Sequence, residues 1–184
     1  MSPPNLPSPW KEFLKELDSL LDEQFELHCI GGFAVVAAYG LPRSTNDLDY
    51  FSLEPCNRVL EFDQMAGQGS ALARKYKVYV HKAAVASVPE NYDERMTELF
   101  PEVFKHVRLF VLDPYDIILS KLSRNAERDR EDVKHLVKTR PLDSKILRER
   151  YEKELRPILI GPLNRHDATL EFWIEAYFPS TEPE

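Results

Sequence analysis

Cysteine and long apolar runs are both scarce in this chain of 184 residues. Its two cysteines, Cys29 and Cys56, are too few for a disulfide framework or a cysteine zinc site. No apolar run is long enough to cross a bilayer, and residues 1–9 lack the charged-then-apolar order of a signal peptide. We therefore expect a reduced, cytoplasmic protein with no membrane partner.

An excess of positive charge is also missing. The chain has 24 Lys and Arg against 31 Asp and Glu, for a formal net charge of -7. Such a chain has no general attraction to nucleic acid or to anionic membranes, so any contact with RNA needs a local basic patch. Its composition, 43% hydrophobic and 30% charged, is typical of a globular protein, and its length favours one domain with at most a small extension.

Hydrophobic periodicity predicts an α/β half followed by an α-only half. A helix is predicted from about Trp10, a strand over residues 27–30 that stops at a glycine pair, and a helix over residues 33–39 that ends at Gly40. Residues 47–52 alternate polar and apolar, as a half-buried strand does. Further strands are predicted over residues 77–80, continuing through Val85, and 108–112. Further helices are predicted over residues 57–76, 92–100, 115–123, 128–138, 144–155 and 168–178.

These elements predict four parts of the chain. Residues 1–9, with four prolines, form a flexible leader. Residues 10–113 form an α/β core, residues 114–178 form a helical part that completes the site, and residues 179–184 form a tail. The predicted fold class is α/β (α+β), a small mixed sheet flanked by helices with a C-terminal helical extension.

A glycine pair, Gly31 and Gly32, stands between a predicted strand and a predicted helix. Glycine at such a corner lets the backbone approach a ligand closely. The helix that begins there presents free N–H groups and a partial positive charge, which suit phosphate. A tight turn without any ligand explains the same two glycines, so both interpretations stay open.

Two aspartates follow on the next predicted strand. Asp47 and Asp49 are two residues apart, so their side chains point to one face while Leu48 and Tyr50 point to the other. Two carboxylates that close repel each other unless a cation lies between them or one is protonated. Mg²⁺ is a hard cation that accepts carboxylate and phosphate oxygens. The alternative is a solvated strand edge whose charges discourage aggregation.

Together these motifs resemble the nucleotidyltransferase superfamily. The chain has the glycine corner, a short helix, and then Arg-x-Thr-x-Asp-x-Asp over residues 43–49. The resemblance is to the bacterial branch of toxin and abortive-infection nucleotidyltransferases, with its related uncharacterised domains. Two later segments agree with it, residues 113–122 and the Arg-Asp-x-x-Asp motif of residues 128–132. It spans roughly residues 27–136.

This resemblance implies a nucleotide and metal site. Gly31 and Gly32 would contact a nucleoside triphosphate through their backbone, and Asp47 and Asp49 would ligate Mg²⁺ or Mn²⁺. Two flanking residues would hold phosphate or the two acids: Arg43 and Thr45. A structural pair between Arg43 and either acid is the alternative.

The resemblance also implies catalytic roles outside the core. Lys121 would neutralise phosphate charge as a point cation. Asp132, or Asp129 in its place, would act near the metal or the acceptor. The alternatives are that Lys121 is the exposed edge of an amphipathic helix, and that Asp132 forms a surface pair with Arg128.

One feature departs from the superfamily pattern. Many of its enzymes place a third carboxylate on a later strand, and the predicted strands over residues 77–80 and 108–112 have none. This favours one metal, or reliance on Lys121, over two metals. The five histidines show no metal-ligand spacing, so we treat them as non-ligands: His28, His81, His106, His135 and His166.

The function expected from the resemblance is transfer of a nucleoside monophosphate from a nucleoside triphosphate to an acceptor hydroxyl. The acceptor would be tRNA, a protein or a small molecule. The branch implies a toxin–antitoxin or phage-defence setting with a cognate partner. Because the third carboxylate is missing, the alternative is a catalytically inactive module of the same fold that acts as an antitoxin or regulator.

Overall fold

The computed structural model describes residues 6–84 and 86–178, and these divide between two compact units. Of the described residues, 6–84, 86 and 96–112 belong to the first unit, and 87–95 and 113–178 belong to the second. The predicted tail, Val85 and the first five residues of the predicted leader lie outside the described residues. Leu6, which lies within the predicted leader, is buried.

The first unit is built on a mixed sheet of five strands in the order β3-β2-β1-β5-β4. The central strand β1 pairs antiparallel with β2 and parallel with β5. At the edges, β3 is parallel to β2 and β4 is antiparallel to β5. The strands are β1 Phe25–Ile30, β2 Asp47–Glu54, β3 Tyr79–Lys82, β4 Thr97–Leu99 and β5 Val107–Val111. The predicted mixed sheet flanked by helices is confirmed.

Four helices accompany this sheet: α1 Trp10–Leu20, α2 Gly31–Tyr39, α3 Val59–Ala66 and α4 Ala71–Tyr76. A short 3₁₀ turn, Cys56–Arg58, precedes α3. The apolar stripe of α1 is buried, as its periodicity predicts. Phe25 of β1 stacks on Phe62 of α3 with ring centroids 5.3 Å apart, so the core of this unit lies against one face of the sheet. Gly40 ends α2 in the left-handed conformation, as predicted.

The second unit is helical. Its α-helices are α5 Pro114–Ser120, α6 Glu127–Thr139, α7 Ser144–Arg150 and α8 Leu163–Tyr177. Asp113 starts α5 by accepting a hydrogen bond from the backbone N–H of Asp116, as the Asp-Pro sequence predicts. A π-helical turn, Tyr151–Leu155, and a 3₁₀ turn, Arg156–Ile158, follow α7.

Ion pairs hold the segment of residues 87–95 to the rest of the second unit. It ends in a 3₁₀ turn, Tyr92–Arg95. The Arg95 guanidinium donates to the carboxylates of Asp116 and Glu154 at 2.9 and 2.7 Å. Asp116 is fully buried and also accepts from Arg150 at 3.0 Å. Two arginines on one buried carboxylate compensate for removing it from water.

Three predicted helices need correction. The helix predicted over residues 92–100 is wrong, because only the turn Tyr92–Arg95 is helical and Thr97–Leu99 is a strand. Pairing of β4 with β5, supported by Arg108 bound to Glu98, overrides the helical propensity of this stretch. The helix predicted over residues 115–123 ends early, at Ser120, and the helix predicted over residues 168–178 begins earlier, at Leu163. The helix predicted over residues 144–155 is confirmed, because the π-helical turn continues α7 to Leu155. None of the helices in the described residues is both long and apolar enough to cross a membrane.

Candidate functional site

The glycine corner predicted between β1 and α2 brings a carboxylate against the start of a helix. Gly31 opens α2 with φ +74°, a conformation that strains any residue with a Cβ. A Cβ at this position would lie 2.5 Å from Oδ2 of Asp49, well inside van der Waals contact. Glycine is therefore required here for its backbone conformation and for the close approach of Asp49.

Arg43 approaches the second glycine in a similar way. A Cβ on Gly32 would lie 2.8 Å from Nη2 of Arg43, so this guanidinium lies directly over the helix start. The chain that carries Arg43 is anchored to α1, because Trp10 donates its indole N–H to the carbonyl oxygen of Thr45 at 3.0 Å. The Thr45 hydroxyl lies 2.9 Å from Oδ1 of Asp47. The two flanking residues predicted from the sequence thus lie beside the glycines and the acids.

The two predicted acids share one face of β2. Leu48 and Tyr50 are fully buried on the other face, whereas Asp47 and Asp49 are half-buried. The predicted alternation of this strand is confirmed. Asp49 pairs in register with Ile30, the last residue of β1, which explains why its carboxylate reaches the Gly31 corner.

His81 is a neighbour of this site that the sequence did not reveal. It lies opposite Asp49 in the parallel pairing of β2 with β3, and its Nδ1 is 2.9 Å from Oδ1 of Asp49. This contact fixes the orientation of the Asp49 carboxylate, as Thr45 does for Asp47. Nothing in the spacing of the histidines could reveal it, because it depends on strand pairing over 32 residues of sequence.

The donor set suits a cation that is shared with a ligand. Within residues 6–84 and 86–178, no group of three or more His, Cys, Asp or Glu side chains is gathered to hold a metal ion. Asp47 and Asp49 alone offer hard carboxylate oxygens, which Mg²⁺ and Mn²⁺ accept. Magnesium sites of this kind are completed by water and by phosphate oxygens of the substrate. The residues present fit such a site and do not form a closed one.

Lys121, to which the resemblance assigns a catalytic role, is buried inside the second unit. It follows α5 and is 4% exposed. Its ammonium lies 2.7 Å from Oδ2 of Asp132 and 3.5 Å from Oδ1 of Asp129. The alternative that Lys121 is the exposed edge of a helix is therefore wrong. A surface pair of Arg128 with Asp132 is wrong for the same reason, since Asp132 is 1% exposed.

Asp129 organises the start of α6. It is fully buried, accepts from Nε and Nη2 of Arg124 at 2.7 and 2.6 Å, and accepts the backbone N–H of Ala126 at 2.9 Å. Burial raises the pKa of this carboxyl, but the bonds from Arg124, the charge of Lys121 and the Ala126 N–H together hold its pKa below the ordinary value. Asp129 is therefore an ionised anchor in this part of the chain. The predicted catalytic roles of Lys121 and Asp132 stay predictions.

A mixed sheet with a glycine corner and paired carboxylates on the adjoining strand defines an α/β domain of nucleotidyltransferase type. Residues 10–167 match the model of the family described as "Nucleotidyltransferase of unknown function (DUF6036)", and the chain belongs to that family. Neither the curated proteins nor the solved structures include a significant match. The family supports a nucleotide as the substrate class.

Proposed function

We propose that this protein is a metal-dependent nucleotidyltransferase that moves a nucleoside monophosphate from a nucleoside triphosphate to an acceptor hydroxyl. The observation that carries the proposal is the closeness of Asp49 to the glycine corner, where its Oδ2 occupies the space next to Gly31. A negative side chain is thereby held at the place where a helix start would receive phosphate. A cation between the carboxylate and the phosphate makes this arrangement favourable.

The glycine corner supplies the phosphate-binding part of the proposed site. Gly31 and Gly32 open α2, a helix of nine residues, so their N–H groups are available at its positive end. The Arg43 guanidinium adds a fixed positive charge and several donors beside Gly32. These groups bind and orient the triphosphate.

The two acids of β2 supply the metal-binding part. His81 and Thr45 each contact one oxygen of a carboxylate, which holds Asp49 and Asp47 in fixed orientations. The second oxygen of each carboxylate lies outside these two contacts. When bound, Mg²⁺ or Mn²⁺ would neutralise charge on the triphosphate and on the departing pyrophosphate.

The acceptor and the biological setting rest on the resemblance. We propose tRNA, a protein or a small molecule as the class of acceptor, and a toxin–antitoxin or phage-defence system with a cognate partner as the setting. Lys121 and Asp132 retain their proposed roles in charge neutralisation and near the acceptor.

Calorimetry with a nucleoside triphosphate and Mg²⁺ or Mn²⁺ tests the proposal. We expect cation-dependent binding that weakens at least tenfold in Asp47→Asn and Asp49→Asn, a loss of about 1.4 kcal/mol. The exposed Asp93 provides a matched control, and Asp93→Asn should bind as the wild type does. Equal binding by all three variants would remove the basis of the proposal.

An inactive binding module is the second candidate. It is favoured by one observation, the lack of a third metal-binding side chain among the described residues. Incubation with α-labelled nucleotides and total RNA or protein distinguishes the two. Transfer of label that depends on Asp49 supports the enzyme, whereas nucleotide binding without transfer supports the module.

A further inference from the structure

Arg108 and Phe110 form a cation–π pair on β5 that the proposed function leaves unused. The guanidinium carbon of Arg108 lies 4.7 Å from the centroid of the Phe110 ring. The two residues are two apart on one strand, so their side chains rise from the same face of the sheet. The pair is therefore a flat, positively charged group within the first unit.

Two carboxylates fix the position of the guanidinium. Glu98 of β4 accepts from Nε and Nη2 of Arg108, each at 2.9 Å, and Glu26 of β1 accepts from Nη1 at 3.2 Å. A carboxylate bound to two nitrogens sets the plane of a guanidinium as well as its place. The side chain of Arg108 is nevertheless 33% exposed, so a ligand can reach it.

The register of the sheet puts this pair on the face that carries the two acids. Asp49 pairs with Ile30 of β1, and Phe110 pairs with His28, two residues earlier on the same strand. Paired residues, and residues two apart on a strand, point to one face. Both neighbours of Phe110 on β5 are buried on the other face, as are both neighbours of Asp49 on β2.

The distance between the acids and the pair suits one nucleotide. Phe110 is two strand spacings across the sheet from Asp49 and two residues along it, which puts their Cα atoms roughly 12 Å apart. A nucleotide with its α-phosphate at the metal reaches across such a gap through its ribose to its base. The base is the one planar group that every nucleoside triphosphate brings to the site.

We propose that Arg108 and Phe110 form the surface on which the base of the nucleoside triphosphate stacks. This inference rests on the proposed function and adds the part of the site that binds the nucleoside. Bases stack on aromatic rings and on guanidinium planes whatever the pattern of donors and acceptors at their edges. We therefore expect affinity to depend on the presence of a base more than on its identity.

A second pair of the same kind provides a matched control. Arg58 lies 5.1 Å from the centroid of the Phe25 ring and is also held by carboxylates, among them those of Asp22 and Glu61. Phe25 is fully buried on the face of the sheet opposite to the acids. A change at Arg58 therefore disturbs a cation–π pair of the first unit without touching the proposed site.

The test compares nucleoside triphosphates with inorganic triphosphate, which has the phosphates but no base. Calorimetry of the full chain with Mg²⁺ or Mn²⁺ measures the affinities. We expect the wild type to bind ATP and CTP about tenfold more tightly than inorganic triphosphate. Arg108→Lys and Phe110→Leu should remove most of this difference while the affinity for inorganic triphosphate stays as in the wild type. Phe110→Tyr, which keeps the ring, and the control Arg58→Lys should bind all three as the wild type does.

The two kinds of probe separate the possible failures. A variant that still binds inorganic triphosphate is folded at the site, and Arg108→Lys covers the case in which Phe110→Leu is unstable. Binding that depends on Asp47 and Asp49 but is equal for ATP and inorganic triphosphate, or that both variants leave unchanged, overturns this inference and leaves the proposed function standing. An equal loss for both probes also overturns it, because inorganic triphosphate has no base to stack. Absence of cation-dependent binding in the wild type overturns both.

Discussion

Lys121 and Asp132 form a buried ion pair, with Nζ of the lysine 2.7 Å from Oδ2 of the aspartate. Asp129 shares the same ammonium at 3.5 Å and is itself held by Arg124. A buried ammonium with two carboxylates is stable because each charge is compensated, although moving the ions out of water costs several kcal/mol. Lys121 thus links the end of α5 to α6.

Loss of this ammonium should destabilise the fold. Lys121→Met leaves Asp132 buried with one fewer compensating charge, and we expect the free energy of unfolding to fall by about 3 kcal/mol. Lys138→Met, which changes an exposed lysine on α6, should cost less than about 0.5 kcal/mol. Urea denaturation measures both. In Lys121→Met/Asp132→Asn the loss should be smaller than the sum of the single losses, and strict additivity would contradict the pairing.

Gly31 and Gly40 share a left-handed backbone conformation but differ in their surroundings. Substituting each one therefore distinguishes the cost of backbone strain from the effect on the site. Gly31 and Gly40 have φ +74° and +71°, but a Cβ on Gly40 meets nothing within 4 Å whereas a Cβ on Gly31 meets Asp49. Gly40→Ala should lower the free energy of unfolding by about 1–2 kcal/mol from left-handed strain alone. Gly31→Ala should cost more and should also abolish cation-dependent nucleotide binding, because it displaces Asp49. Binding that survives in Gly31→Ala would argue against this geometry.

His81 should tune the affinity of the site without being needed for folding. His81→Ala removes the contact that orients Asp49, and we expect cation affinity to fall about tenfold. His81→Asn keeps a donor near the position of Nδ1 and should retain most of the affinity. Lys82→Ala, at the next exposed position, is the control. Calorimetry reports the affinities, and a melting temperature unchanged by His81→Ala would exclude a folding defect.

Lowering the pH should remove the stabilising contribution of the ionised Asp167 in the second unit. The pKa of Asp167 is lowered from 3.8 to about 2 by its bonds to Arg156 and Tyr151. Because the folded-state pKa is depressed, this contribution is complete above pH 4 and is lost as the pH falls through about 2. The destabilisation caused by Asp167→Asn should therefore shrink between pH 5 and pH 2 in thermal unfolding. Glu175→Gln, a change at an exposed position of the same helix, provides the comparison.

Local patterns were enough to predict several elements of both units. Alternation predicted β2 with its two acids on one face, and the positions of Gly40 and Pro114 predicted a helix end and a helix start. Each of these features depends on residues within one turn or one strand. The resemblance of the motifs then led to the family that the chain belongs to.

Features that depend on distant residues were not predictable from one sequence. Strand β4 has only three residues and is a strand because β5 lies beside it. His81 reaches Asp49 through strand register, and register is invisible without knowing which strands pair. The burial of Lys121 was missed because a lysine between leucines has the same pattern on an exposed helix and in an ion pair.

The path of the chain limits how this protein can be divided for experiments. Residues 87–95 lie between two strands of the sheet in sequence, yet they belong to the helical unit and carry Arg95 to Asp116. A truncation after residue 112 would therefore leave Arg95 on one fragment and its buried acceptor on the other. Neither product of a single cut is a complete unit, so a stable fragment of the first unit requires the segment of residues 87–95 to be redesigned.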